Sequence, residues 1–459
     1  MSAEVTVADM MQAREARFFM QQNMLARYPG AALVCLTMNI AGPVKVTDGT
    51  RRAFAWGMEH VRAVLAGHCV LFEADIHEKT GEEAVFVVRG DAREIKRRLC
   101  ALEDGLAIGR LLDIDVIAPN GIKIARTEIG LPARRCLLCG QDAPVCARSR
   151  AHTVAELFER THAIIDEHFA AEYAKRVSQQ AQRALLTEAA ISPKPGLVDR
   201  LNAGAHSDMD IFTFIDSACA LGDYFEACAC IGLAHRGKDP QACFDALRTQ
   251  GLLAEHAMKQ ATGGVNTHKG AIFSLGVYAA ALGMGYDGVR SDELAALLRC
   301  GEMTGERMRE ELKAIACGEA ETFGERIYKE RRIGGVRAEA ASGYATVRES
   351  GLPRLRACLQ AGLSLNDAGL CALIALMART QDTNALRRGG EEAAAQLLAE
   401  AKRLDDEIPL HVSDGSLGKW IEEIRMRLTR WDAELSAARI SPGGCADLLA
   451  LTLLAQFMA

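Results

Sequence analysis

The chain has 459 residues and carries 54 Lys and Arg against 60 Asp and Glu, a formal net charge of −6 at pH 7. Domains usually hold about 100–200 residues, so this length predicts two or three of them. Hydrophobic residues make up 49% and charged residues 25%, which excludes a disordered or fibrous chain. The slight excess of acidic residues also argues against a protein that binds nucleic acid through its phosphates.

Neither a membrane span nor a secretory signal is expected. No run reaches the ~18 consecutive apolar residues of a spanning helix. The first residues mix acids and bases and lack the apolar segment of a signal peptide. The 15 cysteines are an odd number scattered along the chain, which is typical of reduced thiols. We therefore expect a cytoplasmic protein.

Residues 1–172 alternate helical and strand patterns and predict an α+β domain. Asn120-Gly121 lies between two apolar runs, Leu111–Ala118 and Ile122–Arg126, and this arrangement predicts a hairpin. The other predicted helices and strands are, in chain order, Ala3–Ala26 (helix), Ala31–Met38 (strand), Gly49–Ala66 (helix), Val70–Asp75 (strand), Ala84–Arg89 (strand) and Asp91–Leu102 (helix).

Residues 173–459 predict an all-α domain. Long segments with apolar residues three and four apart alternate with short loops of Gly, Pro and Asn. Glu391–Leu404 and Leu417–Ala438 are two such segments. The boundary between the two domains falls within residues 165–177, in a stretch that is itself predicted to be helical.

Two carboxylates, Asp113 and Asp115, alternate with Ile114 and Val116 on a predicted strand. Successive side chains of a strand point to opposite faces, so both carboxylates are expected on one face. Adjacent carboxylates ionise together most readily around a cation, and hard oxygen ligands suit Mg²⁺. The spacing is compatible with a Mg²⁺ site for nucleotidyl transfer, although a solvated acidic face is the commoner origin of this pattern.

Four soft metal ligands follow within a short segment. The first two cysteines have the spacing of a zinc knuckle, so a zinc site is one interpretation and buried cysteines beside a capping histidine are the other. The four ligands are Cys136, Cys139, Cys146 and His152. Arginines beside this cluster could instead bind a polyphosphate. They are Arg134, Arg135, Arg148 and Arg150.

Three motifs of the first half resemble the holo-citrate lyase synthase family. They are Met38–Lys45 (MNIAGPVK), Gly109–Val116 (GRLLDIDV) and Arg134–His152 with its cysteines. The resemblance covers residues 10–170 and implies transfer of phosphoribosyl-dephospho-CoA to a serine of the citrate lyase acyl carrier protein. It also implies that Asp113 and Asp115 bind the metal of a nucleotidyltransferase-like site. The sequence departs from polymerase-β-type enzymes, because only Gly105 and Gly109, without a serine, precede the carboxylates.

Five polar loops interrupt the apolar helices of the second half, and together they favour a common site over five separate helix caps. They are Ser192–Arg200, Gly204–Asp210, Thr262–Gly270, Asp382–Gly390 and Ser441–Asp447. Glycine pairs allow close backbone approach, and free N–H groups at a helix start bind phosphate oxygens. No loop has the spacing of a Walker A motif. The residues expected to bind phosphates are Lys194, Gly263, Gly264, Asn266, Lys269, Arg388, Gly389 and Gly390.

The same loops resemble the triphosphoribosyl-dephospho-CoA synthase family over residues 178–459. In that family the 2′-hydroxyl of dephospho-CoA attacks C1 of the ATP ribose, adenine leaves and the triphosphate stays on the product. Such a transfer needs a base, help for the leaving adenine and screening of the triphosphate. We assign Asp208 and Asp210 as base or metal ligands, and His206 or His268 as the contact to adenine. Further candidate Mg²⁺ ligands are Asp382 and Asp447.

The two resemblances together imply one bifunctional transferase, with domains 1–172 and 173–459. The second domain would make 2′-(5″-triphosphoribosyl)-3′-dephospho-CoA from ATP and dephospho-CoA. The first would attach it to the acyl carrier (γ) subunit of citrate lyase with loss of diphosphate. Two alternatives are the same chemistry serving malonate decarboxylase and a non-catalytic regulator that binds zinc and nucleotide. The expected cofactors are Mg²⁺ and, at the cysteine cluster, structural Zn²⁺, with no nucleic acid or membrane partner.

Overall fold

A computed structural model gives the fold and describes residues 4–317, 326, 329–330, 334–408 and 416–459. The chain folds into two compact units, Met1–Phe169 and Ala170–Ala459. The predicted boundary after residue 172 lies inside a long helix, α5 (Val154–Ala190). None of the helices in the described part of the chain is both long enough and apolar enough to cross a membrane.

Unit Met1–Phe169 is built on a four-stranded antiparallel sheet with strand order β2-β3-β1-β4. The strands are β1 (Ala32–Met38), β2 (Cys69–Glu78), β3 (Gly81–Arg89) and β4 (Leu112–Ile117). β4 is an edge strand, and it alternates buried Leu112, Ile114 and Val116 with the more exposed Asp113 and Asp115. This alternation turns the apolar side chains into the core and leaves both carboxylates on the other face.

Helices cover both faces of this sheet, which gives the mixed α and β structure that the sequence predicts. The helices of the unit are α1 (Val7–Arg27), α2 (Asp48–Leu65), α3 (Ala92–Gly105) and α4 (Ala143–Ser149), before α5. Phe54 of α2 and Leu99 of α3 belong to the larger core cluster, with Ile114 of β4. Met20 and Met24 of α1 pack on the opposite face.

The predicted hairpin after β4 is only partly correct. Gly121 has a left-handed φ of 82° in a tight turn, and Ile117 pairs with Lys123 in a single bridge. The returning segment is shorter than predicted: the Ile124 N–H donates to the Val116 carbonyl at 2.9 Å, but residues Arg126–Ile129 form a 3₁₀ turn. Arg126 donates to the Glu103 carboxylate at 3.0 Å, which draws the chain towards the end of α3 and away from the sheet.

The described residues from 173 onward form helices and connecting loops, as the sequence predicts. After α5 the helices are α6 (Ile211–Ala220), α7 (Gly222–Ala234), α8 (Pro240–Ala261), α9 (Lys269–Met284), α10 (Glu293–Cys317), α11 (Gly335–Ala341), α12 (Leu352–Gln360), α13 (Leu365–Met377), α14 (Thr383–Glu407), α15 (Ser416–Ala437) and α16 (Gly443–Met458). In α9, α13 and α16 most side chains are buried, which places these three helices in the core.

Glycines allow α7 and α9 to pack closely. A Cβ at Gly232 would overlap the carbonyl oxygen of Ala280, and one at Gly283 would overlap that of Ala229. We expect Gly232→Ala to lower the free energy of unfolding by about 1–3 kcal/mol, the usual cost of overpacking a close contact. Gly251→Ala in α8 is the control, because nothing lies within 4 Å of its Cβ position.

Alanine has the higher helix propensity, so Gly251→Ala is expected to raise stability by about 0.5–1 kcal/mol. Denaturant unfolding of the two variants measures both changes. Equal stability of the two variants would show that the α7–α9 contact tolerates a methyl group.

Candidate active sites

A cavity of about 730 Å³ lies in unit Ala170–Ala459, where loops from distant parts of the chain meet. The loops that precede α6, α9, α14 and α16 all contribute residues to it. Eight of the side chains predicted from the sequence line this cavity. They are His206, Asp208, Asn266, His268, Lys269, Asp382, Arg388 and Asp447.

Lys194 does not line the cavity but lies directly beneath its wall. Its side chain is 1% exposed, and its ammonium donates to the backbone carbonyl of Glu188 at 2.7 Å and to the Glu188 carboxylate. Glu188 is itself a lining residue, and burial raises the pKa of its carboxyl while Lys194 opposes that rise. In the structure, Lys194 therefore neutralises a buried carboxylate next to the cavity.

The other predicted residues outside the cavity lining stabilise local structure. Asp210 caps α6 by accepting the Thr213 N–H at 3.0 Å, and this hydrogen bond lowers the pKa of its carboxyl. Gly263 and Gly264, with φ of 64° and 98°, end α8 in left-handed conformations. Gly390, with φ of 76°, kinks α14 and follows Gly389, where a Cβ would press against Ile440.

His268 presents an unpartnered nitrogen in the cavity wall. The residue is 3% exposed, and burial lowers the pKa of its imidazole to about 3. Ser217 Oγ lies 2.7 Å from Nδ1, and the Thr267 hydroxyl donates to Ser217 Oγ at 2.8 Å. The Ser217 proton is therefore directed to Nδ1, which leaves the proton of the neutral ring on Nε2. His268 Nε2 is buried and has no hydrogen-bond partner in the described structure.

In His206, by contrast, both ring nitrogens form hydrogen bonds with other residues of the protein. Arg388 donates to Nδ1 at 3.2 Å, and Nε2 lies 3.1 Å from Ser441 Oγ. An arginine only donates, so Nδ1 accepts and Nε2–H donates to the serine. Burial lowers the pKa of His206, and the charge of Arg388 lowers it further. His206 thus joins two loops of the cavity.

Asp382 and Asp447 are carboxylates in different environments. Asp382 caps α14 through the N–H groups of Asn384 and Ala385 at 2.8 and 3.1 Å, and accepts the Cys445 N–H at 2.9 Å. Asp447 lies against Gly270 in the first turn of α9, where a Cβ would overlap its Oδ2. Burial raises the pKa of Asp447 well above its usual range, and the charges of nearby acids raise it further.

Several residues that line the cavity or contact its lining were missed by the sequence analysis. Ser217 is hidden in the apolar sequence of α6, and Glu188 lies in the long helix α5, so neither stands in a recognisable loop motif. Arg387, which also lines the cavity, directly precedes Arg388 and could have been included with it. Arg379 lines the cavity too, although its guanidinium also bonds to Asp405 at 2.6 Å.

In unit Met1–Phe169 the Asp113/Asp115 pair lies beside two cations. Asp115 Oδ2 is 2.6 Å from Lys123 Nζ, and Asp113 Oδ1 is 3.7 Å from Arg134 Nη1. The two carboxylates face Thr37 and Cys35 across the β1–β4 pairing. The Asp113 side chain is 52% exposed and that of Asp115 is 29% exposed, so both remain accessible to a ligand.

The remaining arginines occupy the segment that carries the cysteines. Arg134 donates to the Leu112 carbonyl of β4 at 2.7 Å and also pairs with Glu103. Arg135 donates to the Gly140 carbonyl at 3.0 Å, and Arg148 is exposed in the last turn of α4. The structure thus brings one of these predicted phosphate ligands, Arg134, next to the acidic pair.

Cys136, Cys139, Cys146 and His152 form one cluster. The four potential ligand atoms all lie within 4.8 Å of one another. It is the one group of this kind among the residues that the structure describes.

Two family profiles match the chain, and both families are transferases. The profile described as "CitX: Apo-citrate lyase phosphoribosyl-dephospho-CoA transferase" matches residues 5–168. The profile described as "CitG: ATP:dephospho-CoA triphosphoribosyl transferase" matches residues 174–459. The chain is therefore a bifunctional transferase.

Similar full-length proteins share this arrangement. "Protein CitXG" of Haemophilus influenzae is 32% identical over 467 residues, covering 98% of this chain and 96% of that protein. "Protein CitXG" of Leuconostoc mesenteroides subsp. cremoris is 32% identical over 454 residues, covering 96% and 94%. The protein named "Probable 2-(5''-triphosphoribosyl)-3'-dephosphocoenzyme-A synthase" of Vibrio cholerae is 39% identical over 291 residues, covering 60% and 86%. The chain belongs to the CitXG family, in which the CitX and CitG sequences are fused.

Proposed function

We propose that the cavity of unit Ala170–Ala459 is the place where the 2′-hydroxyl of dephospho-CoA displaces adenine from ATP. This proposal rests on one observation. Four loops meet at a single cavity, and the residues that line it include His268, with its unpartnered nitrogen, and Asp447. A displacement at C1 of ribose needs a proton acceptor for the attacking hydroxyl and a donor for the leaving base. Asp447 and His268 are suited to these two roles.

Asp447 is the better proton acceptor of the carboxylates in the cavity. Asp382 already accepts three backbone N–H groups, and Glu188 is paired with Lys194. The raised pKa of Asp447 makes its carboxylate a stronger base than an ordinary aspartate carboxylate, which favours transfer of the hydroxyl proton to it. Asp208, whose side chain is 64% exposed, is better suited to the phosphates and their metal.

His268 is the donor to adenine, and His206 is not. The Nε2–H of a neutral imidazole can hydrogen-bond a ring nitrogen of adenine and stabilise the negative charge that develops there. The low pKa of His268 keeps the ring neutral throughout. His206 has no free nitrogen, because Arg388 and Ser441 occupy both.

The triphosphate is bound by cations at the cavity wall. Lys269, Arg387 and Arg388 supply positive charge, and the first turn of α9 adds backbone N–H groups. Mg²⁺ commonly takes one or two carboxylates together with substrate phosphates and water. Asp208 fits this requirement because its carboxylate is exposed at the cavity. When bound, Mg²⁺ would screen the charge of the triphosphate.

Attachment to the acyl carrier protein is proposed at the Asp113/Asp115 edge of β4. Both carboxylates are accessible on one face, and such a pair fits Mg²⁺, which would neutralise charge on the departing diphosphate. Arg134 and Lys123 lie close enough to hold the phosphates of the incoming intermediate. The nucleotidyltransferase-like fold of this unit is supported by the acidic pair and the family resemblance. Zn²⁺ at the cysteine cluster would be the second metal of the unit.

The proposal is tested with the purified full chain, ATP, dephospho-CoA, Mg²⁺ and apo acyl carrier protein. Chromatography should detect free adenine, and mass spectrometry should detect a carrier that has gained phosphoribosyl-dephospho-CoA. Apo citrate lyase carrier should react in preference to the malonate decarboxylase carrier, as the matching transferase family indicates. Release of ADP or AMP in place of adenine would contradict the proposal.

Ser217 is expected to act through His268. Ser217→Ala removes the proton donor to Nδ1, so the imidazole can place its proton there and present a bare Nε2 to adenine. We expect the turnover number for adenine release to fall at least about 10-fold, as when a histidine is held in the wrong tautomer. The KM for ATP should change little, because the phosphates are bound elsewhere.

A double-mutant cycle separates this positioning role from a general loss of structure. In the background of His268→Gln, whose amide donates whether or not Ser217 is present, Ser217→Ala should have little further effect. The same loss in both backgrounds would mean that Ser217 contributes only to packing. Steady-state kinetics of the four proteins give the answer.

A further inference from the structure

The cysteine cluster has the dimensions of a zinc site. Cys146 Sγ lies 3.5 Å from Cys136 Sγ and 4.0 Å from Cys139 Sγ. Sulfurs bound to one tetrahedral Zn²⁺ with Zn–S bonds of about 2.3 Å lie about 3.8 Å apart. A disulfide needs an S–S distance of about 2.05 Å, so these separations do not correspond to one.

A second observation comes from the histidine of the cluster. His152 Nε2 is buried and has no hydrogen-bond partner in the described structure. A buried nitrogen without a partner is costly, and metal ligation would supply that partner. Three thiols and one imidazole complete a Cys₃His set, which is typical of structural zinc.

The backbone around the cysteines forms a small knuckle joined to β4. The Cys136 N–H donates to the Gln141 carbonyl at 2.6 Å, and the Ala143 N–H donates to the Arg134 carbonyl at 2.7 Å. Arg134 stands two residues before Cys136, and its guanidinium donates to the Leu112 carbonyl of β4 at 2.7 Å. The cluster and the Asp113 edge are therefore linked through one short segment.

We propose that Zn²⁺ bound by Cys136, Cys139, Cys146 and His152 fixes this knuckle and thereby holds Arg134 beside Asp113. The ion supports the carrier modification and is not needed for adenine release. The functional part of this inference rests on the proposed location of the transferase site at Asp113 and Asp115. The metal site itself rests on the geometry of the cluster and on the unpartnered His152 nitrogen.

Metal analysis of the purified full chain tests the site directly. We expect one zinc per chain in the wild type and a marked loss in Cys139→Ser, which changes an exposed ligand. Cys69→Ser is the control, because Cys69 is exposed but lies outside the cluster. Replacement by Co²⁺ should give the absorption bands of tetrahedral cobalt with thiolate ligands. Absence of both zinc and these bands in the wild type would overturn the site.

The two half-reactions then test the function of the ion. Cys139→Ser should release adenine at the wild-type rate. Modification of the apo carrier from ready-made intermediate should fall about 10- to 100-fold, the range found when supporting contacts of a site are lost. Unchanged carrier modification in a zinc-free variant would overturn the link to Arg134. An Asp113→Asn variant that binds zinc and still modifies the carrier at the wild-type rate would instead reject the proposed transferase site.

Discussion

Asp447→Asn is expected to slow adenine release by roughly 10²- to 10⁴-fold, the contribution usual for a general base. The substitution keeps the size of the side chain next to Gly270 and removes its ability to take up a proton. Binding of ATP should change little, because Asp447 is assigned to the attacking hydroxyl. The turnover number, measured by chromatography of adenine, is therefore the affected quantity.

The pH dependence gives a second measure of the same role. The base must be ionised, so the wild-type rate should fall as the pH drops through the raised pKa of Asp447. That fall should occur at a higher pH than for an ordinary aspartate. In Asp447→Asn the residual rate should lose this limb.

The unfolding temperature of Asp447→Asn shows whether a loss of activity could come from a loss of folded structure. A carboxyl whose pKa is higher in the folded than in the unfolded protein contributes stability below its unfolded pKa, and that contribution is lost as the pH rises through the folded pKa. Asparagine avoids this loss, so the variant should unfold at the same or a higher temperature at neutral pH. Asp245→Asn, an exposed change on α8, should leave adenine release unchanged. A fully active Asp447→Asn would remove this residue from the mechanism.

Asp113→Asn is expected to slow the second reaction strongly and to spare the first. Charge neutralisation by a metal contributes several kcal/mol to phosphoryl chemistry, so loss of a ligand should slow carrier modification on the order of 10³-fold. Adenine release should continue at the wild-type rate, and the triphosphoribosyl intermediate should accumulate. Mass spectrometry of the carrier and chromatography of the nucleotides measure the two steps in one incubation.

The control for Asp113→Asn is a substitution that removes a negative charge elsewhere on the surface of the same unit. Glu94→Gln neutralises an exposed acid of α3 that pairs with Arg98, away from the acidic pair. This variant should modify the carrier normally. If Asp113→Asn behaves in the same way, the acidic pair is a solvated strand face, the alternative that its spacing leaves open.

The loop motifs were predictable because glycine, proline and charged residues stand out between apolar helices. Asp113 and Asp115 also follow from a local rule, since strand periodicity fixes their common face. Contacts between distant segments could not be predicted in this way. Ser217 and His268 are 51 residues apart, and no property of a short segment reports their hydrogen bond.

The type of a charged residue also did not predict whether its side chain is exposed or paired inside the protein. Lys194 stands in a polar loop like Lys269, but tertiary packing buries its ammonium on Glu188. The strand expected after Gly121 pairs with β4 only as far as Ile124, because the chain then turns and Arg126 bonds to Glu103 of a helix. In both cases a long side chain bonds to a residue outside its own loop or turn. The periodicity of a single sequence does not report such contacts.

The capping bonds of Asp382 have a consequence for recombination between relatives. This one carboxylate joins the start of α14 to the start of α16, across 63 positions of sequence. The donor at Cys445 is a backbone N–H, so the connection depends on the carboxylate at position 382 and hardly on the side chain at position 445. A chimera that takes α16 from a relative should therefore retain the cavity as long as Asp382 is kept.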